Sequence, residues 1–210
     1  MKLKVCGMLD SLNIKELIQL SPDFIGFIFY NLSKRNATHI LDPHFTNSIP
    51  PQIKKIGVFV DEEIIQIKKI VEKYHLDGLQ LHGNELPQYC EEVKKSIPGL
   101  NIIKAFGMDD QFDFETLNEY AKCCDYFLFD TKGKSAGGNG IKFNWNILTK
   151  YHLKTPYFLS GGIDLGDIND IIKMQKTQPQ LYAIDVNSKF ELSPGLKDLS
   201  KIGLLKKMLQ

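Results

Sequence analysis

No stretch of this sequence stays apolar for long enough to cross a bilayer. Its longest hydrophobic runs, such as 24-FIGFIFY-30, fall far short of the roughly 20 residues a spanning helix needs. The amino-terminal MKLKVCGM has no apolar signal-peptide core and already reads as a strand, so a cytosolic (cytoplasmic) protein with no membrane partner is expected. An excess of one charge is missing too. The formal net charge is +1, which leaves no electrostatic footprint for nucleic acid. Cysteine is sparse: Cys6, Cys90, Cys123 and Cys124 among 210 residues do not form a disulfide framework. Cys123 and Cys124 are adjacent, but no other cysteine or histidine stands at zinc-finger spacing, so no metal site is expected. Cys90, Cys123 and Cys124 fall in helical segments and read as structural. A dinucleotide turn is also lacking, because 5-VCGMLD-10 does not have the GxGxxG spacing.

What is present is an ordinary globular composition, 43% hydrophobic and 24% charged, with a repeating pattern. Short β-branched or aromatic runs recur at 2–6, 24–29, 54–60, 78–82, 101–106, 126–130, 157–161 and 181–186. Between them lie segments with apolar residues at helical spacing. The clearest is 62-EEIIQIKKIVEKY-74, where Ile64, Ile67, Ile70 and Val71 share a stripe, followed by 85-ELPQYCEEVKKSI-97. The segment 112–123 is short but periodic, and 36–49 is weaker because Pro43 interrupts it. Strands alternating with helices imply parallel pairing through right-handed crossovers. Eight of each, with no composition break marking a linker, predict an α/β fold of one domain over 1–210, a single (β/α)8 TIM barrel; an open doubly wound sheet is the competitor.

In such a barrel, chemistry belongs at the carboxyl ends of strands. Those positions hold Cys6, Ser33 and Arg35, Asp61, Gln80 and His82, Phe106-Gly107, Asp130, Ser160-Gly161-Gly162, and Asp185 through Ser188. Taken singly, several have plain structural readings. A cysteine ending a strand is usually a small core hydrophobe, Arg35 reads as a solvated loop charge, and His82 as a satisfied core histidine. Asp130 is different. A carboxylate there is often a helix cap, but the next helical pattern starts only after 131-TKGKSAGGNG-140. Two glycine features suggest anion binding: 160-SGGID-164 leads into a helix expected near Leu165, and 185-DVNSKFELSPGLKD-198 follows the last strand. Backbone N–H groups in such turns cradle phosphate.

The set 4-KVCGM-8, 26-GFIFYNLSKR-35, 57-GVFV-60, 79-LQLHG-83, 129-FDTKGKSAGGNGIKFNW-145, 159-LSGGI-163 and 185-DVNSKFE…PGLKD-198 resembles the phosphoribosylanthranilate isomerase family over residues 2 to about 208. The resemblance implies a tryptophan-pathway isomerase that performs an Amadori rearrangement without metal or cofactor. Its partner is a small-molecule substrate, and both monomer and homodimer are compatible. It assigns Asp130 as general acid and Cys6 as general base, Arg35 to the anthranilate carboxylate, and Gly161, Gly162, Asn187 and Ser188 to the phosphate. Gly137, Gly138 and Gly140 fall in its lid. Asp130 then has to hold a proton and Cys6 to lose one, which a shared proton between the two would serve. The sequence departs from the family at GGNG for GGTG, at 143-FNW-145 for FDW, and at 187-NSKFE-191 for SSGVE, where Lys189 replaces a glycine of the phosphate loop. Alternatives are another sugar-phosphate barrel isomerase, such as the histidine-pathway enzyme with an aspartate where Cys6 stands, and a silent phosphate-binding barrel.

Overall fold

The computed structural model describes residues 1–132 and 142–210. Eight parallel strands close in sequence order into a barrel: β1 (Lys2–Cys6), β2 (Phe24–Ile28), β3 (Lys54–Phe59), β4 (Gly78–Leu81), β5 (Asn101–Met108), β6 (Tyr126–Thr131), β7 (Tyr157–Leu159) and β8 (Leu181–Val186). The seam is made by β1 and β8, with Lys4 opposite Asp185 and Val5 opposite Val186. The helices are α1 (Ser11–Gln19), α2 (Pro43–Thr46), α3 (Ile64–Tyr74), α4 (Pro87–Ser96), α5 (Leu117–Tyr120), α6 (Ile168–Thr177) and α7 (Leu199–Met208).

Two expectations change. The crossover between β6 and β7 carries a 3₁₀ helix, Trp145–Lys150, and no α-helix among the described residues. Pro43 does not interrupt a helix but starts one: it occupies the first turn of α2, where a missing N–H costs nothing, and Asp42 caps that turn by accepting from His44 N at 2.9 Å. Aspartates cap α1 and α7 in the same way, Asp10 toward Asn13 and Asp198 toward Lys201. The sequence reading did not foresee a hairpin after β8, in which β9 (Glu191–Ser193) pairs antiparallel with β10 (Leu196–Lys197). Its turn uses Gly195 at φ +89°, a value that suits glycine.

Period-two alternation sorts each strand into an outward set packed under the helices and an inward set. Phe127 and Phe129 of β6 and Leu3 and Val5 of β1 belong to the outer core. The lower barrel interior is plugged by Phe24, Ile56, Ile103, Leu128, Phe158 and Ala183. Phe158 is fully buried and packs edge-on against Phe24 at 5.2 Å, so cutting it to alanine is expected to cost about 3–5 kcal/mol. The plug closes the amino-terminal end and leaves the inward positions above it free for polar groups. No helix among the described residues is long and apolar enough to cross a membrane.

Candidate active site

The same alternation sends Cys6 of β1, Gln80 of β4, Asp130 of β6 and Asp185 of β8 inward at the carboxyl end of the barrel. His82 and Ser160, just past β4 and β7, join them around a solvent-open pocket of about 720 Å³. Ile28 and Val58 give it an apolar side. Gly26, beside Cys6 in the β1–β2 register, keeps room for the sulfur: a Cβ there would stand 2.7 Å from Cys6 Sγ.

One inward position below Cys6 lies Lys4, whose side chain is 0% exposed and whose Nζ donates to Asp185 Oδ2 at 3.0 Å. Its charge also bears on the Cys6 thiol, two residues along β1. Burial pulls the Lys4 pKa down, but Asp185 and Cys6 outweigh it and the net shift is upward. Burial pushes the Cys6 thiol up and Asp185 pushes it further, against the opposing pull of Lys4 and Lys197. After burial, the charges that bear on the Cys6 thiol are those of Lys4, Asp185 and Lys197.

Asp130 accepts from Thr131 N at 2.8 Å through Oδ1 and faces His82 Nε2 at 3.4 Å through Oδ2. His82 Nδ1 is 2.6 Å from Gln80 Nε2. An amide nitrogen can only donate, so Nδ1 accepts and the proton of the neutral ring sits on Nε2, toward Asp130. Two buried oxygens, Gln80 Oε1 and Asp185 Oδ1, have no hydrogen-bond partner among the described residues. Their side chains line the pocket.

The opposite wall is formed by the loops after β7 and β8. Gly161 and Gly162 adopt φ +92° and +66°. A Cβ on Gly161 would stand 2.3 Å from Thr131 Oγ1, so glycine is needed both for the conformation and for the close approach to β6. Ser188 and Lys189 enter a 3₁₀ turn at the end of β8 and line the pocket with Asn187. Asn187 Oδ1 accepts from Lys197 Nζ at 2.7 Å.

The structure thus brings Cys6, Asp130, Gly161, Gly162, Asn187 and Ser188 together in one pocket. Arg35 stands at the rim and does not line it. Its Cδ packs over Gly7, and its Nε and Nη2 engage Glu191. Glu191 also holds Lys197 Nζ at 2.5 Å and Gly195 N at 3.0 Å. The lid glycines Gly137, Gly138 and Gly140 lie outside the described residues. The pocket groups His82 and Asp185, and Lys4 buried beneath them, escaped assignment from the sequence.

A family model described as N-(5'phosphoribosyl)anthranilate (PRA) isomerase matches residues 3–208. The chain belongs to the phosphoribosylanthranilate isomerase family. It is 43% identical to the N-(5'-phosphoribosyl)anthranilate isomerase of Parabacteroides distasonis, over 96% of this chain and 90% of that protein. Among solved structures, phosphoribosylanthranilate isomerase from Thermotoga maritima superposes with a TM-score of 0.87 at 29% identity, covering 99% of this chain and 98% of the other. A second phosphoribosylanthranilate isomerase, solved with reduced 1-(o-carboxyphenylamino)-1-deoxyribulose 5-phosphate, superposes with a TM-score of 0.82 at 27% identity, over 99% and 97% of the two chains.

Proposed function

We propose that this protein converts N-(5'-phosphoribosyl)anthranilate to 1-(o-carboxyphenylamino)-1-deoxyribulose 5-phosphate, the isomerase step of tryptophan biosynthesis, and that residues 1–210 act as one catalytic domain. The observation that carries the reading is the convergence of an inward thiol, Cys6, and an inward carboxylate, Asp130, on a pocket whose far wall is the Gly161–Gly162 turn with Ser188.

The reaction begins with a proton delivered to the furanose ring oxygen. Asp130 is the donor, and His82 Nε2–H beside it hydrogen-bonds the carboxylate that is left. Ring opening leaves a cationic iminium that makes the neighbouring C2–H acidic. Cys6 removes that proton as a thiolate, and Lys4 beneath it supplies the opposing charge. The enolamine then takes a proton at C1 and loses one from O2 to give the ketone, and a proton passed back from Cys6 toward Asp130 resets the pair. Positioned acid and base groups of this kind contribute on the order of 10²–10⁴-fold each.

Binding groups follow from the same geometry. Backbone N–H groups of the Gly161–Gly162 turn, with Asn187 and Ser188, hold the phosphate, and the exposed Lys189 at the rim adds a cation. Asp185 Oδ1 and Gln80 Oε1 accept from substrate hydroxyls. Glu191 takes Nε and Nη2 of Arg35, and the remaining Nη1 is the edge assigned to the anthranilate carboxylate. The test is the loss of anthranilate-type fluorescence from fresh phosphoribosylanthranilate on adding protein in phosphate-free buffer. Fast, protein-dependent decay is expected. No decay from a folded sample removes the reading and leaves a silent phosphate-binding barrel.

A further inference from the structure

Outside the pocket, three cysteines far apart in sequence meet. Cys90 on α4 and Cys123 and Cys124 between α5 and β6 are all buried and free, and their sulfurs lie within 4.8 Å of one another. Cys123 and Cys124 Sγ are 3.9 Å apart. Thiolates bound to one ion at about 2.3 Å from each sulfur sit close to that far apart. None of the three lines the active-site pocket.

We propose that Cys90, Cys123 and Cys124 form a three-sulfur site for a trivalent, three-coordinate thiophile of the arsenite type. Coordination number and charge select this class. The cluster contains no histidine or carboxylate among the described residues, so the fourth ligand that structural zinc requires is missing. A buried site also disfavours net charge. Three thiolates around Cu(I) or zinc leave negative charge uncompensated. The nearby ammonium of Lys104 is already taken by Glu85 at 3.1 Å and by the carbonyls of Gly83 and Ala105 at 2.9 Å. A trivalent centre with three thiolates is neutral.

The chemistry balances without an oxidant. Arsenite, As(OH)₃, reacts with three thiols: three As–O bonds break, three As–S bonds form, and the three thiol protons leave with the hydroxyls as three waters. Arsenic stays trivalent throughout. Binding pins α4 to the segment that leads into β6.

The experiment uses the full chain, reduced with a phosphine that is then removed, titrated with sodium arsenite alone. The expected result is one arsenic per chain by native mass spectrometry, a new near-ultraviolet sulfur-to-arsenic band and a raised melting temperature. Cys6→Ser should bind arsenic as the parent does, whereas Cys90→Ala and Cys123→Ala should lose it, each checked for folding by circular dichroism. Should either alanine variant fail to fold, the parent titration still decides. Folded parent protein that binds no arsenic, or that takes one zinc or one Cu(I) instead, overturns the proposal. So does arsenic retained in a folded Cys90→Ala protein.

Discussion

Lys4 Nζ sits 3.0 Å from Asp185 Oδ2 inside the barrel, with side chains 0% and 6% exposed. Removing one partner of such a buried pair leaves the other charge uncompensated, which costs about 3–5 kcal/mol, whereas replacing both with apolar residues is often close to neutral. Lys4→Met is therefore expected to lose that much in urea unfolding, and Lys4→Met/Asp185→Leu to recover most of it. If the double variant is as unstable as the sum of the singles, the pair is not the source of the loss.

The Cys6 thiol is held above its ordinary range by burial and by Asp185. Its proton must leave before it can act as a base, so kcat/KM should climb with pH toward that raised value. Lys4 pulls the thiol pKa down, so Lys4→Met should move the rising limb to still higher pH. A profile whose rising limb is unmoved in a folded Lys4→Met protein would rule out the coupling.

Glu191 is held below the usual carboxylate range: burial works to raise it, but Arg35, Lys197 and the Gly195 N–H prevail. A depressed folded-state pKa means its stabilisation is complete above the unfolded value of about 4.3 and fades as pH falls through the folded one. Glu191→Gln should lose about 3 kcal/mol at neutral pH. The gap to the parent should narrow in acid below that unfolded value. Equal gaps measured by urea titration at both pH values would contradict this reading.

Lys189 stands where the family carries glycine, exposed and at the pocket rim. An exposed ion pair is worth about 0.2–1 kcal/mol. Lys189→Gly should accordingly raise KM by roughly two- to fivefold at low salt with little change in kcat, and the difference should shrink as salt is added. A fall in kcat with unchanged KM would show that Lys189 shapes the loop instead of meeting the phosphate.

The strand pattern was legible because each strand of a parallel barrel is a short apolar run bounded by polar loops, and all eight fell close to where the runs predicted. Cys6 and Asp130 could be found because they end such runs. Lys4 could not: nothing local in 2-KLKVC-6 separates it from Lys2, and its partner Asp185 arrives only when β1 pairs with β8. His82 lost its role for a related reason. Its inward parity depends on where β4 begins, and its partner Asp130 comes from β6. The crossover after β6 was read as helical from its apolar spacing, yet it settled as 3₁₀, with Asn144 accepting from Asn146 N at its start. The Cys90 contact with Cys123 and Cys124 depends on α4 lying beside the entry to β6, which no local spacing encodes.

The seam between β1 and β8 also has a temporal meaning. Cys6 leaves the ribosome long before Asp185, so the base and that carboxylate are brought together only when β8 closes the ring. A nascent or truncated chain that stops before Asp185 carries the thiol and Lys4 but lacks Asp185 and Lys197, which also govern its proton. The reactive sulfur is thereby tied to completion of the fold.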